Sequence, residues 1–533
     1  MSQSRTPLLQ ALQQAFRKSL LKHEAAEPPL KREDASGSTA LLDRRKFLSD
    51  TIKAGLSVGG LYLASQSYLY AAPAGTAPVI AIVGGGLAGL NAAYQLKKFG
   101  FRADVYEAGD SPGGRIHTAR NILGNNLTTE VGGEFVDTGH ADMWSLIKEF
   151  QIPYYDCNSL SERRLIKDDY LIDGVRYRER QVVAEFRHFS RRIKKDQDSV
   201  PDDLSYKTPL RGRSLDQISI DEYLTEIGAR GWFLSLLKNA FTGEFGLDTG
   251  EQSALNFITM IGTDTSQNKL EMYGESDERY KIKGGSDLVI SKLVARLKDQ
   301  IKTGHKLEAI GSNANGFTLD FQNRGPVKAD YVILAIPFTT LRQVNINLDL
   351  PQHKQRAIRE LGYGTNSKMV FGFNQRVWRK LGYSGYLFSD VIHNGWDNSQ
   401  MQNNNLGPGG YTAFLGGRAG RELSMDERER YLAVVDKAYR GAAASFNGQS
   451  RVFNWSQNPL TQGSYACYKV GQWTSIGGAE IEPVGNLLFA GEHCSRDYQG
   501  FMNGAAETGR TAAVAILQRL RRPRRRARFS RAA

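Results

Sequence analysis

Apolar positions along the chain fall into short unbroken runs, and the first is followed by glycines and then by residues spaced for a helix. Val79 to Val83 form this run, with Leu90, Ala93, Tyr94 and Leu96 behind it, so the segment predicts a strand, a tight turn and a helix. FRADVYEAG predicts a second strand ending at Glu107, and LLFAGE another ending at Gly491 and Glu492. GAAETGRTAAVAIL predicts a helix from about Gly504. In the middle of the chain KMVFGF and YTAFLGG are strand-like, NSQMQNNNLGPGG carries loop signals, and MDERERYLAVVDKAY predicts a helix. RRLIKDDYLIDGVRYRERQVVAEFRHFSRRIKKD is dense in charge of both signs, the pattern of solvated helix faces.

The turn after the first run holds Gly84, Gly86 and Gly89 as G-x-G-x-x-G, the form that seats a dinucleotide on a helix N-terminus. NAD, NADP and FAD proteins share it. Glu107 lies eighteen residues beyond Gly89; a carboxylate at that strand end accepts from both ribose hydroxyls and repels a 2′-phosphate, which disfavours NADP. Gly113, Gly114 and Arg115 begin six residues later. Adjacent glycines admit close backbone approach and the arginine can pair with a pyrophosphate, a second contact that tilts the choice to FAD.

The 533 residues suffice for two or three domains. A formal charge of +13 would suggest nucleic acid or anionic membrane if it were spread over a folded surface. Its distribution argues otherwise: eight arginines and no acid lie from Arg519 onward, and residues 1 to 78 carry ten basic against six acidic residues, leaving about +1 for the core. The terminal run reads as a solvated tail, and no nucleic-acid partner is expected. Cys157, Cys467 and Cys494 lie far apart with no C-x-x-C and no partnered His cluster, so neither a metal site nor a redox dithiol is indicated. DRRKFL at 43 to 48, a modest apolar stretch and small residues around Ala72 to Ala74 resemble a twin-arginine export signal. That predicts a periplasmic or extracellular protein carried by the twin-arginine export machinery.

With these motifs in order, the chain resembles the flavin-containing amine oxidases, a family that includes monoamine, polyamine and L-amino-acid oxidases. The matching pieces are the glycine fingerprint with EAGDSPGGR, TEVGGEFVDTGH at 129 to 140, KIKGGSDLVISKL at 281 to 293, HKLEAIGSNANGFTLDF with ADYVILAIP to 337, and NLLFAGEHCSRDYQGFMNGAAETGRTAAVAIL. The resemblance implies an α/β fold: a discontinuous Rossmann-like FAD-binding domain (79–146, 275–337, 452–520) and a second, α+β substrate domain made of the insertions (147–274, 338–451). A leader with the export signal (1–74) precedes them and a basic tail (521–533) follows.

By resemblance the FAD contacts are Gly84, Gly86, Gly89, Glu107, Gly113, Gly114, Arg115, Gly132, Gly133, Glu134, Leu307, Trp455, Glu492, Gly500, Phe501 and Met502. Glu492 matches the family's ribityl-binding glutamate, and the helix start at Met502 and Asn503 matches the one that faces flavin N1 and the C2 carbonyl. Tyr465 and Phe501 match the two aromatics that flank the substrate amine, with Phe where many members have Tyr. Ser464 stands where members with covalent flavin carry Cys, so FAD is expected to be noncovalent. Many members place a Lys about six residues after A-I-P, holding a water near flavin N5. Gln343 occupies that register, with Arg342 beside it, and Lys368 is a poor match, so Gln343 is the candidate for that position.

The activity implied is oxidation of a primary amine by hydride transfer to flavin N5, with imine hydrolysis and peroxide release from oxygen. The expected substrate is an L-amino acid, a basic one; the alternative is a monoamine or polyamine, and a flavin desaturase or dehydrogenase with a non-oxygen acceptor is the reading from another class. A homodimer is the oligomer considered. Several L-amino-acid oxidases hold the substrate carboxylate with an Arg shortly after the glycine pair; here Glu134, Phe135, Val136 and Asp137 follow Gly133. Glu134 or Asp137 could instead attract a cationic tail.

Overall fold

Five parallel strands make the sheet on which the rest is arranged, in the order Ile301–Lys302, Ala103–Tyr106, Ile80–Val83, Tyr331–Leu334, Leu487–Phe489. The computed structural model describes residues 77–210, 212–313, 316–402 and 406–521, so the export-like segment and almost all of the basic tail lie outside the described residues. IAIV, YVIL and LLF read as apolar runs without alternation because the sheet is covered on both faces. Helices Leu87–Lys98, Asp287–Leu297 and Met502–Arg521 pack on one face through Leu90, Leu96, Val289, Leu293 and Ile516. Leu307, Leu319, Phe338 and Ile358 cover the other, against Val83, Leu334 and Phe489. Gly509 lets the first and last of those helices touch, since an added Cβ there would strike the Ala88 backbone.

A seven-stranded mixed sheet forms the second body, in the order Phe446–Asn454, Ser367–Phe373, Gly409–Leu415, His393–Asp397, Tyr383–Ser389, Ile166–Ile172, Val175–Tyr177. Its pairings are antiparallel except for Tyr383–Ser389 against Ile166–Ile172. KMVFGF and YTAFLGG supply two central strands, and MDERERYLAVVDKAY becomes a short 3-10 turn followed by helix Arg428–Ala438. The charged segment read as helix faces is helical only in its second half, Glu179–Ser199; its first half is the antiparallel hairpin Ile166–Ile172 with Val175–Tyr177. The helices Ile220–Glu226, Gly231–Phe245 and Ala254–Met260 that follow meet the first through Phe186, Tyr223, Phe233, Phe241 and Phe257.

Two three-residue strands pair across the domain limits drawn from the sequence, and a nine-residue strand spans one of them. Tyr154–Asp156 pairs with Tyr280–Ile282, Asn345–Asn347 pairs with Leu307–Asn313, and Phe446–Asn454 runs across residue 452 without a break. The three-residue edge strands Tyr154–Asp156 and Asn345–Asn347 carry too little periodicity to be seen in sequence. The last helix begins at Met502, two residues before Gly504.

Candidate active site

Strand Ile80–Val83 ends at Gly84, whose φ of +108° and closeness to the Ala335 carbonyl admit no side chain. Its N–H donates to the Tyr106 carbonyl at 2.8 Å, and the Gly113 N–H donates to the Gly85 carbonyl at 2.9 Å, so the two glycine turns lie against each other. An added Cβ at Gly89 would fall on the Gly84 carbonyl, whereas one at Gly86 would meet nothing within 4 Å. Helix Leu87–Lys98 starts at Gly86 with no side-chain cap; its first N–H groups point along the open side of the turn, the arrangement that binds a pyrophosphate. Glu107 accepts from Gly85 N and Gly109 N, both at 2.7 Å, which fixes its carboxylate at the strand end.

From this turn a cavity of about 630 Å³ runs into the second body. Gly113, Gly114, Arg115, Gly132, Gly133, Leu307, Trp455, Gly500 and Met502 all line it. Arg115 donates to Glu492 at 2.8 Å and to the Ser464 carbonyl at 2.7 Å, and Glu492 also accepts from Gly500 N at 2.8 Å. The Trp455 indole donates to the Val131 carbonyl at 2.9 Å, fixing the strip before Gly132. A Cβ on Gly133 would stand 2.9 Å from Met502 Cγ, so the glycine pair keeps this wall flat where the last helix begins. The open backbone at Gly86 and Gly132–Gly133, the ribose-type carboxylate of Glu107 and the uncapped helix start together fit an extended dinucleotide whose ring end reaches Tyr465 and Phe501.

Those two aromatics line the same cavity. The Tyr465 hydroxyl donates to the Glu244 carbonyl, and burial raises its pKa well above the usual phenol value, so it stays neutral. Phe501 packs on His140 at 5.0 Å between centroids. Glu244, Glu278, Tyr386 and Asn394 line the same cavity. Burial pushes Glu244 up to about 8, with the charge of Glu278 adding to it. Glu278 is pushed up to about 7, by burial first and then by Asp137. Neither carboxylate forms an ion pair with a described lysine or arginine. No local motif announces them: Glu244 comes from a helix end and Glu278 from a loop residue with φ of +44°.

Three sequence expectations change here. Gln343 lines the cavity at the Leu307 end, because parallel pairing sets Asn345 opposite Ala309, and Leu307 follows His305, whose N–H donates to the Glu107 carbonyl. The ammonium at the Gly132–Gly133 wall is that of Lys368, which donates to the Gly132 carbonyl at 3.0 Å and the Glu130 carbonyl at 3.2 Å. Glu134 is not a free acid awaiting a cation: Lys281 and Lys368 each hold it at 2.9 Å, and the Trp396 indole donates to it at 3.1 Å. Asp137 is buried beneath the cavity, accepting from Ser276 Oγ at 2.7 Å and Glu278 N at 3.0 Å.

A parallel dinucleotide fold whose cavity also holds two aromatics and two acids without an ion pair to a described lysine or arginine fits a flavoenzyme acting on small organic molecules. Residues 87–517 match the family model described as flavin containing amine oxidoreductase, and the chain belongs to that family. It is 26% identical over 457 residues to "Amine oxidase [flavin-containing] B" of Canis lupus familiaris, covering 82% of this chain and 86% of that one. It is also 26% identical over 468 residues to a Bacillus subtilis (strain 168) protein named "Putative L-amino-acid oxidase YobN", covering 81% and 92%. Among solved structures, the cyclohexylamine oxidase from Brevibacterium oxydans IH-35A superposes with a TM-score of 0.72 at 21% identity, over 84% of this chain and 100% of that one. At that identity the likeness shows a shared fold. The cofactor is FAD.

Proposed function

We propose that the chain is an FAD-dependent oxidase of primary amines whose substrate carries a second cationic group, a diamine or polyamine, and not an amino-acid carboxylate. The observation that carries this is the pair Glu244 and Glu278, which line the cavity and form no ion pair with a described lysine or arginine; the Lys167 charge acts on Glu278 only from a distance. The basic side chains that line the cavity are engaged or distant: Arg115 by Glu492, Lys368 by Glu134, and Lys306 beside His305 and Leu307 at the nucleotide end. Among the described lining residues a substrate carboxylate would therefore meet two acids and no unengaged cation, a repulsion of about 4 kcal/mol per ionised acid at about 4 Å in an effective dielectric of about 20. This favours the amine alternative over the basic L-amino acid expected from the sequence.

FAD, held by the residues above, would supply two-electron acceptance from the amine carbon, with oxygen as the final acceptor. The protein's share is orientation and desolvation. Tyr465 and Phe501 press the reacting amine between apolar rings, which favours its neutral form against an ordinary alkylamine pKa of about 10. Glu278 and Glu244 hold the distal ammonium, and Tyr386 hydrogen-bonds Glu278 so that its carboxylate is fixed. With Ser464 before Tyr465 and no cysteine lining the cavity, FAD is held without a covalent bond. We infer that residues 43 to 74 export the protein through the twin-arginine route.

The test is peroxide release from the purified yellow protein with aliphatic diamines, matched monoamines, L-lysine and L-arginine. Diamines are expected to give the highest kcat/KM. Faster turnover of L-amino acids overturns the substrate reading, and amine oxidation without peroxide moves the chain to a dehydrogenase with another acceptor. Denaturation should release all of the flavin, and an exported fusion should fail to leave the cytoplasm when Arg44 and Arg45 are both changed to Lys.

A further inference from the structure

One buried carboxylate lies between two buried ammonium groups beside the Gly132–Gly133 wall. Glu134 Oε1 is 2.9 Å from Lys281 Nζ and Glu134 Oε2 is 2.9 Å from Lys368 Nζ, with side-chain exposures of 2%, 1% and 6% for Glu134, Lys281 and Lys368. Lys368 uses all three of its N–H donors, on Glu134, the Gly132 carbonyl and the Glu130 carbonyl, which requires the charged form. Lys281 donates also to the Asp397 carbonyl at 2.9 Å and lies 4.6 Å from the centre of the Phe135 ring, which itself lines the cavity.

We propose that Lys281 is a positioning residue for the flavin's electronics: by sharing Glu134 it leaves one uncompensated positive charge, carried by Lys368, at the wall where the flavin ring lies. With Lys368 alone, Glu134 would cancel it; with both lysines the cluster sums to +1. The groups buried against the cluster do not undo this balance, and Glu278, whose charge reaches Glu134, is the same in every variant compared below. Glu130, accepting from Ser286 N and Thr118 Oγ1, is pushed up to about 8 by burial and is mostly neutral at pH 7. The Cys157 thiol is pushed up to about 12 by burial and is neutral too. Asp397 lies 4.0 Å from Arg376 and 3.9 Å from Arg379, and Arg379 is paired with Glu162, so that neighbouring group is balanced within itself. The reduced flavin is anionic, so a net positive charge buried beside it raises its potential and favours any anionic form of the ring.

The inference rests on FAD lying along Gly132 and Gly133, and its test separates the two claims. In FAD-loaded Lys281→Met protein, sulfite, which adds to oxidised flavin to give an anionic adduct, should bind about tenfold more weakly, with the midpoint potential lowered by about 30 mV for a two-electron couple. Adding Glu134→Gln to Lys281→Met removes the cancelling carboxylate, leaves Lys368 as the net charge, and should restore both values to within about twofold of the wild type. Damage to packing would not be repaired by a second buried lesion. Flavin loaded normally but unaltered by Lys281→Met, or a double variant displaced further than the single one, overturns the proposal. Failure to bind flavin in the wild-type chain would instead overturn the cofactor placement.

Discussion

Replacing Glu278 by Gln tests the substrate reading most directly, because it removes charge and keeps shape. An ammonium held at about 4 Å from an ionised carboxylate gains about 4 kcal/mol in an effective dielectric of about 20. Desolvation of both ions takes back part of this, leaving about 2 to 3 kcal/mol, or roughly 30- to 150-fold in affinity. Glu278→Gln should therefore raise KM for a diamine by about that factor and change KM for the matched monoamine by less than about threefold. The pH dependence carries the same signature. Glu278 is pushed up to about 7 and Glu244 up to about 8, so the ionised forms that attract a cation accumulate only above those values. Diamine kcat/KM should rise from about pH 6 to 8.5 in the wild type, and Glu278→Gln should remove the lower part of that rise. Steady-state peroxide assays across pH decide it. Equal losses for diamine and monoamine, or a wild-type profile for diamines that falls over this range, would refute the argument.

Arg115→Met leaves Glu492 buried without its 2.8 Å partner, so holoprotein stability should fall by about 3 to 5 kcal/mol with flavin loss, read by thermal unfolding and the bound-flavin absorbance ratio. Gly89→Ala drives a methyl into the Gly84 carbonyl, a backbone group that cannot move aside; the purified protein should be colourless or insoluble, whereas Gly133→Ala meets only the flexible end of Met502 and should keep some flavin. Glu130 is buried and pushed up to about 8 from 4.5, so its neutral form favours folding. That contribution is complete below about pH 4.5 and lost as pH rises through 8, at about 1.4 kcal/mol per unit; Glu130→Gln should flatten this part of the stability profile measured by denaturant titration.

The cofactor half of the fold was legible because its constraints are local. Strands buried on both faces must be apolar without alternation, as IAIV and YVIL are, and turns that press backbone against backbone must be glycine, as at Gly84 and Gly89. Each rule acts within a few residues and leaves its mark in the sequence. Counting residues past A-I-P failed for the opposite reason. After Pro337 the chain turns through the short helix Phe338–Leu341 into strand Asn345–Asn347, whose pairing with Leu307–Asn313 carries Gln343 to the Leu307 end of the cavity, while Lys368 arrives at the Gly132–Gly133 wall from a strand of the other sheet.

The substrate end depends on which charges are paired, and pairing is long-range. Glu134 looks available in sequence, yet its two lysines lie at positions 281 and 368 and reach it only when the strands Tyr280–Ile282 and Ser367–Phe373 are in place. Glu244 and Glu278 look like ordinary helix-end and loop acids, yet folding leaves them lining a cavity with no ion pair to a described lysine or arginine, Lys167 acting on Glu278 only from a distance. A buried acid without a partner costs stability until something positive occupies the space. The fold tolerates two such acids in one cavity, and a cationic substrate would relieve the cost; the same pair would resist a carboxylate.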